Sequence, residues 1–493
     1  VIQLRDYQEQ AIHDLRQAMK KHKNVLLTAP TGAGKTALAV FMMGTAKERG
    51  LRSFFLVHQN ELLKQTSKAL WKQKLEHGII ASGKRVSKME VQVASVQTLV
   101  RRLDKYEEPA LIIVDESHLG VAASYLKIFE QFPNARIIGL TATPQRTDGK
   151  ALGDVFDTIV EGPSVRMLID RGYLSDYRLI APRNVLDMSD VKTKGGDYDI
   201  KATEEKLDKP TITGDAVAAY KQHANGKRCV VLCVSIAHAE HVCESYRAAG
   251  VAAEAIHGGH TEAEREAKLE RLESGETLVL TSVQLMIAGV DIPAIEVVQF
   301  LRPTQSLVIY MQAIGRGLRP APGKDKLIIL DQVSNWTRHG LPDEKREWSL
   351  EGKKSRKKKD DEDADIAAQQ CPSCFAVFRK GPDACPVCGH ELPKKSKAEL
   401  EVVDGELTEI DVDAIRRERK KQQGSARTLT DLIKLGIQRG IKNPSGWAAN
   451  VAAARVGKKP TAQDFADAKR IYQELRNVKS RNQNSNPSHA DAF

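Results

Sequence analysis

Two kinds of apolar pattern alternate along this chain. Short unbroken runs such as Leu111-Ile112-Ile113-Val114 have the character of strands buried on both faces. Longer stretches between them carry apolar residues at helical spacing. The runs at 25–28, 53–57, 91–94, 111–114 and 136–140 predict strands, with helices over 36–49, 60–75 and 122–131 and an amphipathic helix within 1–23. Strand and helix in alternation imply a parallel sheet with right-handed crossovers. The alternation lapses over an irregular stretch, 181–211, and then restarts. Strands are predicted at 229–234, 252–256, 277–281, 296–301 and 326–331, and helices at 213–224, 236–249, 261–273 and 305–314. The pattern therefore describes two similar α/β lobes in tandem.

Beyond Asp331 the character changes. Lys353-Lys354-Ser355-Arg356-Lys357-Lys358-Lys359 runs into Asp360-Asp361-Glu362-Asp363, and blocks of like charge stay solvated. Residues 341–368 read as a linker. A cysteine-bearing module over 369–392 follows, then a helical, basic tail over 393–479 with pieces near 412–422, 428–438, 445–455 and 462–477. The Asn/Ser-rich end, 480–493, reads as disordered.

At 493 residues the chain exceeds a single core, and with 41% hydrophobic and 28% charged residues it has a globular composition. No apolar run approaches the ~18 residues of a membrane span, and no signal-peptide pattern opens the chain. Cytoplasmic residence without a membrane partner is the expectation. The net charge is +11, and from Lys394 onward 20 Lys and Arg face 13 Asp and Glu, so that segment supplies +7 of it. A basic excess suits a polyanion, most simply nucleic acid; charge alone fits a solubilising surface equally well.

The candidate chemistry begins at Ala29-Pro30-Thr31-Gly32-Ala33-Gly34-Lys35-Thr36. It follows the run Val25–Leu27 and opens a helix-forming segment, which is the context a phosphate-binding loop requires. Backbone N–H groups at Thr31, Gly32, Ala33 and Gly34 and the new helix's N-terminus would face a polyphosphate. Lys35 would add a full charge, and the Thr36 hydroxyl can ligate Mg²⁺. Asp115-Glu116 follows the run 111–114, so both carboxylates emerge at the strand's C-terminal edge, where open parallel sheets bind ligands. Asp115 can hold Mg²⁺ with Thr36, and Glu116 can direct an attacking water; by themselves two acids there could also cap a helix. Arginines from a second lobe, Arg316 and Arg319, could balance charge spreading over the γ-phosphate when a cleft closes. On a continuous helix Gln312, Arg316 and Arg319 would share one face.

Four of the seven cysteines form Cys371-Pro-Ser-Cys374 and Cys385-Pro-Val-Cys388, two facing knuckles whose four thiolates suit a structural Zn²⁺. A redox pair is the rival reading. Cys229, Cys233 and Cys243 fall in a predicted strand and helix and read as buried thiols. In the tail, Trp447, Val451 and Ala454 share a helix face that reads as small-domain core in preference to a base-stacking platform.

Together, Lys35-Thr36, Asp115-Glu116-x-His118 and Thr141-Ala142-Thr143 resemble the ordered motifs of a superfamily 2 helicase of the DEAD/DEAH-box-like kind, a likeness that spans about residues 4–319. The resemblance implies two RecA-like lobes, ATP and Mg²⁺ as cofactors, and ATP hydrolysis driving movement on nucleic acid. It further implies that Leu4-Arg5-x-Tyr7-Gln8 contacts adenine through Arg5 and Gln8. His118, Thr141, Thr143 and Thr281 would couple hydrolysis to movement, Gly289 and Asp291 would reach the nucleotide, and Gln312, Arg316 and Arg319 would complete the arginine-finger motif. The lobes followed by a cysteine module are most similar to bacterial and phage RadD-like helicases, which implies work in DNA repair, recombination or replication.

Departures fall at Gln59-Asn60, Ser117, Gln284 and Ala288; those at 59, 60, 284 and 288 bear on nucleic-acid grip and coupling. The expected architecture is a RecA-like ATP-binding lobe over 1–168, a second lobe over 169–340, a zinc ribbon and a helical C-terminal tail, acting as a monomer on DNA with a replication or repair protein as a further partner. Two alternatives stand beside a DNA helicase or translocase: an RNA helicase on the same lobes, and a non-enzymatic DNA-binding scaffold. Gln312, where DEAD-box RNA enzymes carry His, leans away from RNA.

Overall fold

The structure, a computed structural model, describes residues 2–117, 122–145, 151–182, 188, 191–194, 197–207, 210–283, 295–351, 368–392, 425–426, 428–438, 441, 443–455, 458 and 460–483. His118, Gln284, Ala288, Gly289 and Asp291, the charge run at 353–363 and the helix expected at 412–422 lie outside the described residues.

The first lobe is a seven-stranded parallel sheet. Its strands are β1 (Asn24–Thr28), β2 (Ser53–Val57), β3 (Gly78–Ile80), β4 (Val91–Ser95), β5 (Leu111–Asp115), β6 (Arg136–Thr141) and β7 (Thr158–Glu161), in spatial order β3-β4-β2-β5-β6-β1-β7. The helices α1 (Asp6–Ala18), α2 (Lys35–Glu48) and α3 (Asn60–Lys72) and the Ala123–Gln131 helix cover the two faces. The run Ser53–Val57 explains the double burial. Phe55 and Val57 pack with Leu38 and Met43 of α2 and Leu63 of α3 on one face, while Phe54 and Leu56 meet Tyr125, Ile128 and Phe132 on the other. Each such side chain contributes about 1.5–3 kcal/mol by leaving water.

The second lobe is built on β8 (Asp176–Ile180), a small hairpin of β9 (Thr193–Lys194) and β10 (Asp197–Tyr198), and β11 (Cys229–Leu232), β12 (Ala253–Ile256), β13 (Val279–Ser282), β14 (Val297–Phe300) and β15 (Lys326–Asp331). Its sheet runs β12-β13-β11-β14-β15-β8 with every pair parallel. Cys229, Cys233 and Cys243 are buried in its core, and burial pushes the Cys229 thiol well above its ordinary pKa.

Several features depart from the sequence pattern; β3, β7 and β8 were not among the predicted strands, and the Ala462–Gln483 helix runs into the stretch read as disordered. The stretch read as irregular, 181–211, contains the β9–β10 hairpin and the Ile200–Leu207 helix, anchored where Asp197 accepts from Arg302, Thr304 and the Gln305 N–H. Residues 341–351, assigned by charge to the linker, are packed: Leu341 is buried, and the Leu350 carbonyl accepts from the Leu152 and Gly153 N–H groups of the first lobe. The cysteine module is no tethered bead. Its hairpin, β16 (Ala368–Gln370) and β17 (Ala376–Arg379), extends the second sheet, with β17 antiparallel to β8.

Residues 1–394 form one compact unit and 395–493 a second. In the second, the helices Leu429–Gln438, Pro444–Arg455 and Ala462–Gln483 close around Leu432, Ile433, Ala448, Ala449 and Ala468. Trp447 and Val451 pack against that core, as the helix-face reading expected, whereas Ala454 is exposed.

Candidate active site

The phosphate loop owes its shape to two glycines. Gly32 and Gly34 sit at φ +89° and +81°, the left-handed region that side chains avoid, and a Cβ at Gly34 would lie 2.4 Å from Gln8 Nε2. The loop is tied to the sheet where the Ala29 N–H donates to the Thr141 carbonyl at 2.9 Å. Gly34 then caps α2 at its N-terminus, directing the first N–H groups of α2 out of the loop.

Lys35 Nζ donates back to the Ala29 and Pro30 carbonyls at 3.2 and 3.4 Å. Burial lowers its pKa, against the pull of Glu116 and Asp115, and the charges of Arg319 and Arg316 lower it further. All five groups thus share one electrostatic neighbourhood, although Arg316 and Arg319 belong to the other lobe. Asp115 ends β5 half-buried; burial first and Glu116 second raise its carboxyl to about 6, while Lys35 and the Glu116 N–H, 3.0 Å from Oδ1, oppose the rise. Glu116 holds φ +47°, a strained conformation for a residue with a Cβ and one that aims a side chain off the strand's normal course.

The second lobe closes directly on this loop. A Cβ at Gly315 would lie 2.5 Å from Thr31 Cβ, and one at Gly32 would lie 2.8 Å from Leu174 Cδ2 and 3.7 Å from Arg319 Cγ. The Leu307–Gly317 helix carries half-buried Gln312 and Arg316, but it ends before Arg319. The shared helix face predicted for the three is therefore broken: Arg319 reaches the loop from the turn beyond the C-cap, with its N–H bonded to the Arg316 carbonyl.

The residues expected to meet adenine form a compact group. Gln8 Oε1 accepts from the Arg5 N–H at 3.0 Å, while Gln8 Nε2 and the Tyr7 hydroxyl both donate to the Ala33 carbonyl. The Arg5 guanidinium lies 4.5 Å from the centre of the Tyr173 ring, and Tyr7 meets that ring edge-on at 5.0 Å. Thr141 Oγ1 accepts from the Thr143 N–H and donates to its carbonyl, and Thr281 Oγ1 is buried on the Ala239 carbonyl.

Sequence reasoning missed several residues that the fold brings beside the site. His58, at the end of β2, senses the Glu116 charge. The Tyr125 hydroxyl is buried beside both carboxylates, which with burial hold its pKa well above the ordinary tyrosine value. Tyr173 and Leu174 come from the passage between the lobes. Across the cleft, Lys64 pairs with Glu262 and Arg265 Nη2 lies 3.7 Å from Glu61. None carries a motif spacing; each is recognisable only once the sheets bring distant residues side by side.

The donor set fits Mg²⁺ and a polyphosphate: the half-buried Asp115 carboxylate lies in the field of Lys35, and Thr31 Oγ1 is buried with no hydrogen-bond partner among the described residues. The four cysteines fit zinc. Their Sγ atoms all lie within 4.8 Å of one another, and the Cys371–Cys388 and Cys374–Cys385 pairs are 3.7 Å apart. A tetrahedron with Zn–S bonds of ~2.3 Å has edges of about 3.8 Å. His390 enters through its backbone, its carbonyl accepting the Cys385 N–H at 2.8 Å and its N–H drawing the Cys388 thiol down to about 7.

Two tandem sheets with a glycine loop at one edge and arginines presented by the neighbouring lobe define a two-lobe P-loop nucleotide motor. Residues 1–146 match the family model of the type III restriction enzyme res subunit, and 209–321 match the helicase conserved C-terminal domain. The chain is 32% identical over 391 residues to a 51.5 kDa protein of a Lactococcus phage, covering 79% of this chain and 83% of that one. It is 31% identical over 356 residues to a Saccharomyces cerevisiae protein named as an ATP-dependent helicase, IRC3, covering 67% of this chain and 51% of that protein. The HsdR-subunit fragment of a type I restriction enzyme from Vibrio vulnificus shares the fold, with a TM-score of 0.54 at 24% identity over 68% of this chain and 65% of that one. The chain belongs to the superfamily 2 helicases and carries their ATPase and helicase domains.

Proposed function

We propose that the chain is a DNA-dependent ATPase that converts lobe closure into movement along, or opening of, DNA. The observation that carries this reading is the seating of Gly315 and Arg319 of the second lobe on Thr31 and Gly32 of the phosphate loop. An arginine delivered by a separate lobe makes hydrolysis conditional on closure, and a strand gripped by both lobes favours closure. The +11 net charge suits a nucleic acid, and the restriction-subunit family of the first lobe and Gln312 favour DNA over RNA.

In this scheme Arg5 and Gln8 receive the adenine edge, and the N–H groups of residues 31–34 with Lys35 bind the polyphosphate. Thr36 and Asp115 would hold Mg²⁺, which supplies charge neutralisation at the phosphates. Glu116 aligns the attacking water and accepts its proton. Arg316 and Arg319, with Gln312 beside them, balance charge developing on the γ-phosphoryl oxygens. Gly289 and Asp291 are assigned to the nucleotide, and His118, Thr141, Thr143 and Thr281 to coupling. Cys371, Cys374, Cys385 and Cys388 hold a structural Zn²⁺.

We place the chain in the cytoplasm as a monomer, working with a replication or repair protein. A thiol-ligated zinc site and three further free cysteines suit a reducing compartment; among the described residues no helix is long and apolar enough to cross a membrane.

The test is ATP turnover by the full chain with single-stranded, duplex and forked DNA and with RNA. DNA should stimulate turnover most. Lys35→Ala should abolish ATP binding, and Glu116→Gln should bind ATP but lose stimulated turnover by at least about a hundredfold. Full activity in both variants, or equal stimulation by RNA, would refute the assignment.

A further inference from the structure

Of the two arginines assigned to the γ-phosphate, Arg319 stands outside the helix. The Leu307–Gly317 helix is closed by Leu318, whose N–H bonds the Ile314 carbonyl at 2.9 Å, and Pro320 keeps the chain from continuing as helix. Arg319 retains one long backbone bond, its N–H to the Arg316 carbonyl at 3.4 Å. Its side chain nevertheless lies against the phosphate loop, with Cγ 3.7 Å from where a Cβ at Gly32 would sit.

The chain beyond Arg319 supplies what the helix does not. Ala321-Pro322-Gly323-Lys324 makes a tight turn, closed by the Lys324 N–H on the Ala321 carbonyl at 3.1 Å, with Gly323 at φ +77°. The turn folds Lys324 back onto the helix end. Its Nζ donates to the Arg319 carbonyl at 2.8 Å and also to the Gly317 carbonyl. Between them the Leu318 carbonyl accepts the Ser175 N–H at 2.8 Å, so the three carbonyls that end the helix are all held. Lys324 is half-buried and makes no ion pair among the described residues. A lysine that only capped the helix would be complete with Gly317, since the last turn offers the orphan carbonyls.

We propose that Lys324 is a positioning residue for Arg319: by clamping the Gly317 and Arg319 carbonyls together it sets the direction in which the Arg319 side chain leaves the helix end for the phosphate loop. Arg316, inside the helix, has its backbone fixed by the helix itself. Loss of the clamp leaves nucleotide binding by the first lobe intact and spoils the aim of Arg319.

The inference rests on Arg319 as a group that acts on the γ-phosphate, and the experiment separates the two. Single-turnover hydrolysis of radiolabelled ATP, which keeps slow variants measurable, is followed on the full chain with Mg²⁺ and saturating single-stranded DNA. If the wild-type chain hydrolyses no ATP with any polynucleotide, the functional assignment fails and this inference with it. If the wild-type chain is active and Arg319→Ala stays within about twofold of it, the ATPase assignment stands and the inference is overturned. Otherwise Arg319→Ala should lower the rate at least about a hundredfold. Lys324→Met, which keeps the stem and loses the donors, should lower it about ten- to a hundredfold, as a misplacement of ~1 Å does. ATP affinity and the DNA concentration for half-maximal stimulation should stay within about threefold. The deciding variant combines Lys324→Met with Arg319→Ala. Its rate should lie within about twofold of Arg319→Ala alone, because a clamp with no arginine to aim has nothing left to do. Losses that multiply overturn the inference, as does a Lys324→Met rate within about twofold of wild type or a loss carried by ATP or DNA affinity. If Lys324→Met does not fold by circular dichroism, Lys324→Gln, too short to bridge both carbonyls, takes its place in the same cycle. If neither folds, Lys324 serves the fold and not the arginine, and the inference is overturned.

Discussion

Thr31 and Gly315 touch across the lobe interface so closely that a methyl group at 315 would lie 2.5 Å from Thr31 Cβ, with Oγ1 at 3.1 Å. Since Thr31 is backbone-proximal and sits in a glycine-shaped loop, neither partner can retreat without moving a lobe. Gly315→Ala should therefore hold the cleft slightly open. ATP binding, which depends on the first lobe, should persist, while DNA-stimulated kcat falls by about tenfold or more because the arginines no longer reach. Nucleotide affinity by fluorescence titration alongside turnover checks the split; equal losses in both would place the effect elsewhere.

Much of the fold was legible because strands buried on both faces leave unbroken apolar runs. Leu111–Val114 and Ser53–Val57 coincide with β5 and β2 almost to the residue. Strands of mixed polarity escaped that logic. β7, with Thr158 and Glu161 at its ends, and β8, with Asp176 and Arg178, are mixed in polarity and do not announce themselves. The site divides the same way. Lys35, Asp115 and Glu116 were legible because phosphate chemistry needs those types at those junctions. Tyr125 and Tyr173 were not, because their nearness to the site depends on how the fold packs distant segments together. Arg319 was recognised by spacing, yet the helix that spacing assumed stops two residues earlier.

The sheet extension at β17 makes the four-cysteine site a brace for the second lobe. Phe375, at φ +58° in the knuckle, packs into that lobe's core, and Gln370 Nε2 donates to the Ala181 carbonyl at 2.7 Å. Cys385→Ser, or prolonged chelation, should release one zinc per chain, read by elemental analysis. It should also lower the melting temperature by on the order of 5 °C or more, because the freed hairpin no longer covers β8. A metal-free variant that melts as wild type would confine the module to a role outside stability.

Asp331 gives the second lobe a definite pH response. The residue is fully buried at the end of β15, its Oδ2 accepts the Trp336 N–H at 2.8 Å, and burial raises its pKa to about 6. A carboxyl whose native pKa lies above its unfolded value of 3.8 favours folding while protonated. That contribution is complete below the unfolded value and is lost as pH rises through about 6. His339, buried and lowered to about 4, works the other way, losing stability as pH falls from its ordinary 6.5. Comparing Asp331→Asn with wild type isolates the first effect, since Asn still accepts the Trp336 N–H. The variant should gain relative stability between pH 4 and 7, by at most about 3 kcal/mol. Parallel denaturation curves at both pH values would contradict it.

Lys64 and Glu262 face each other from α3 and the Glu262–Ser274 helix, one in each lobe, beside the Glu61–Arg265 pair. Both members of the first pair are more than half exposed, at 61% and 51% of their side-chain surface, so solvent screens them. Their energetic weight is correspondingly small, about 0.2–1 kcal/mol for an exposed pair. Small free energies shift a two-state equilibrium only where that equilibrium is itself shallow, so this pair tests how finely lobe closure is balanced. Lys64→Glu places two like charges together and should raise the DNA concentration for half-maximal ATPase stimulation by about two- to fivefold, with less effect at high salt. The swapped chain, Lys64→Glu with Glu262→Lys, restores the attraction with the signs reversed and should return the midpoint close to wild type. A swap that behaves like the sum of its single changes would show that these side chains act on DNA separately and not on one another.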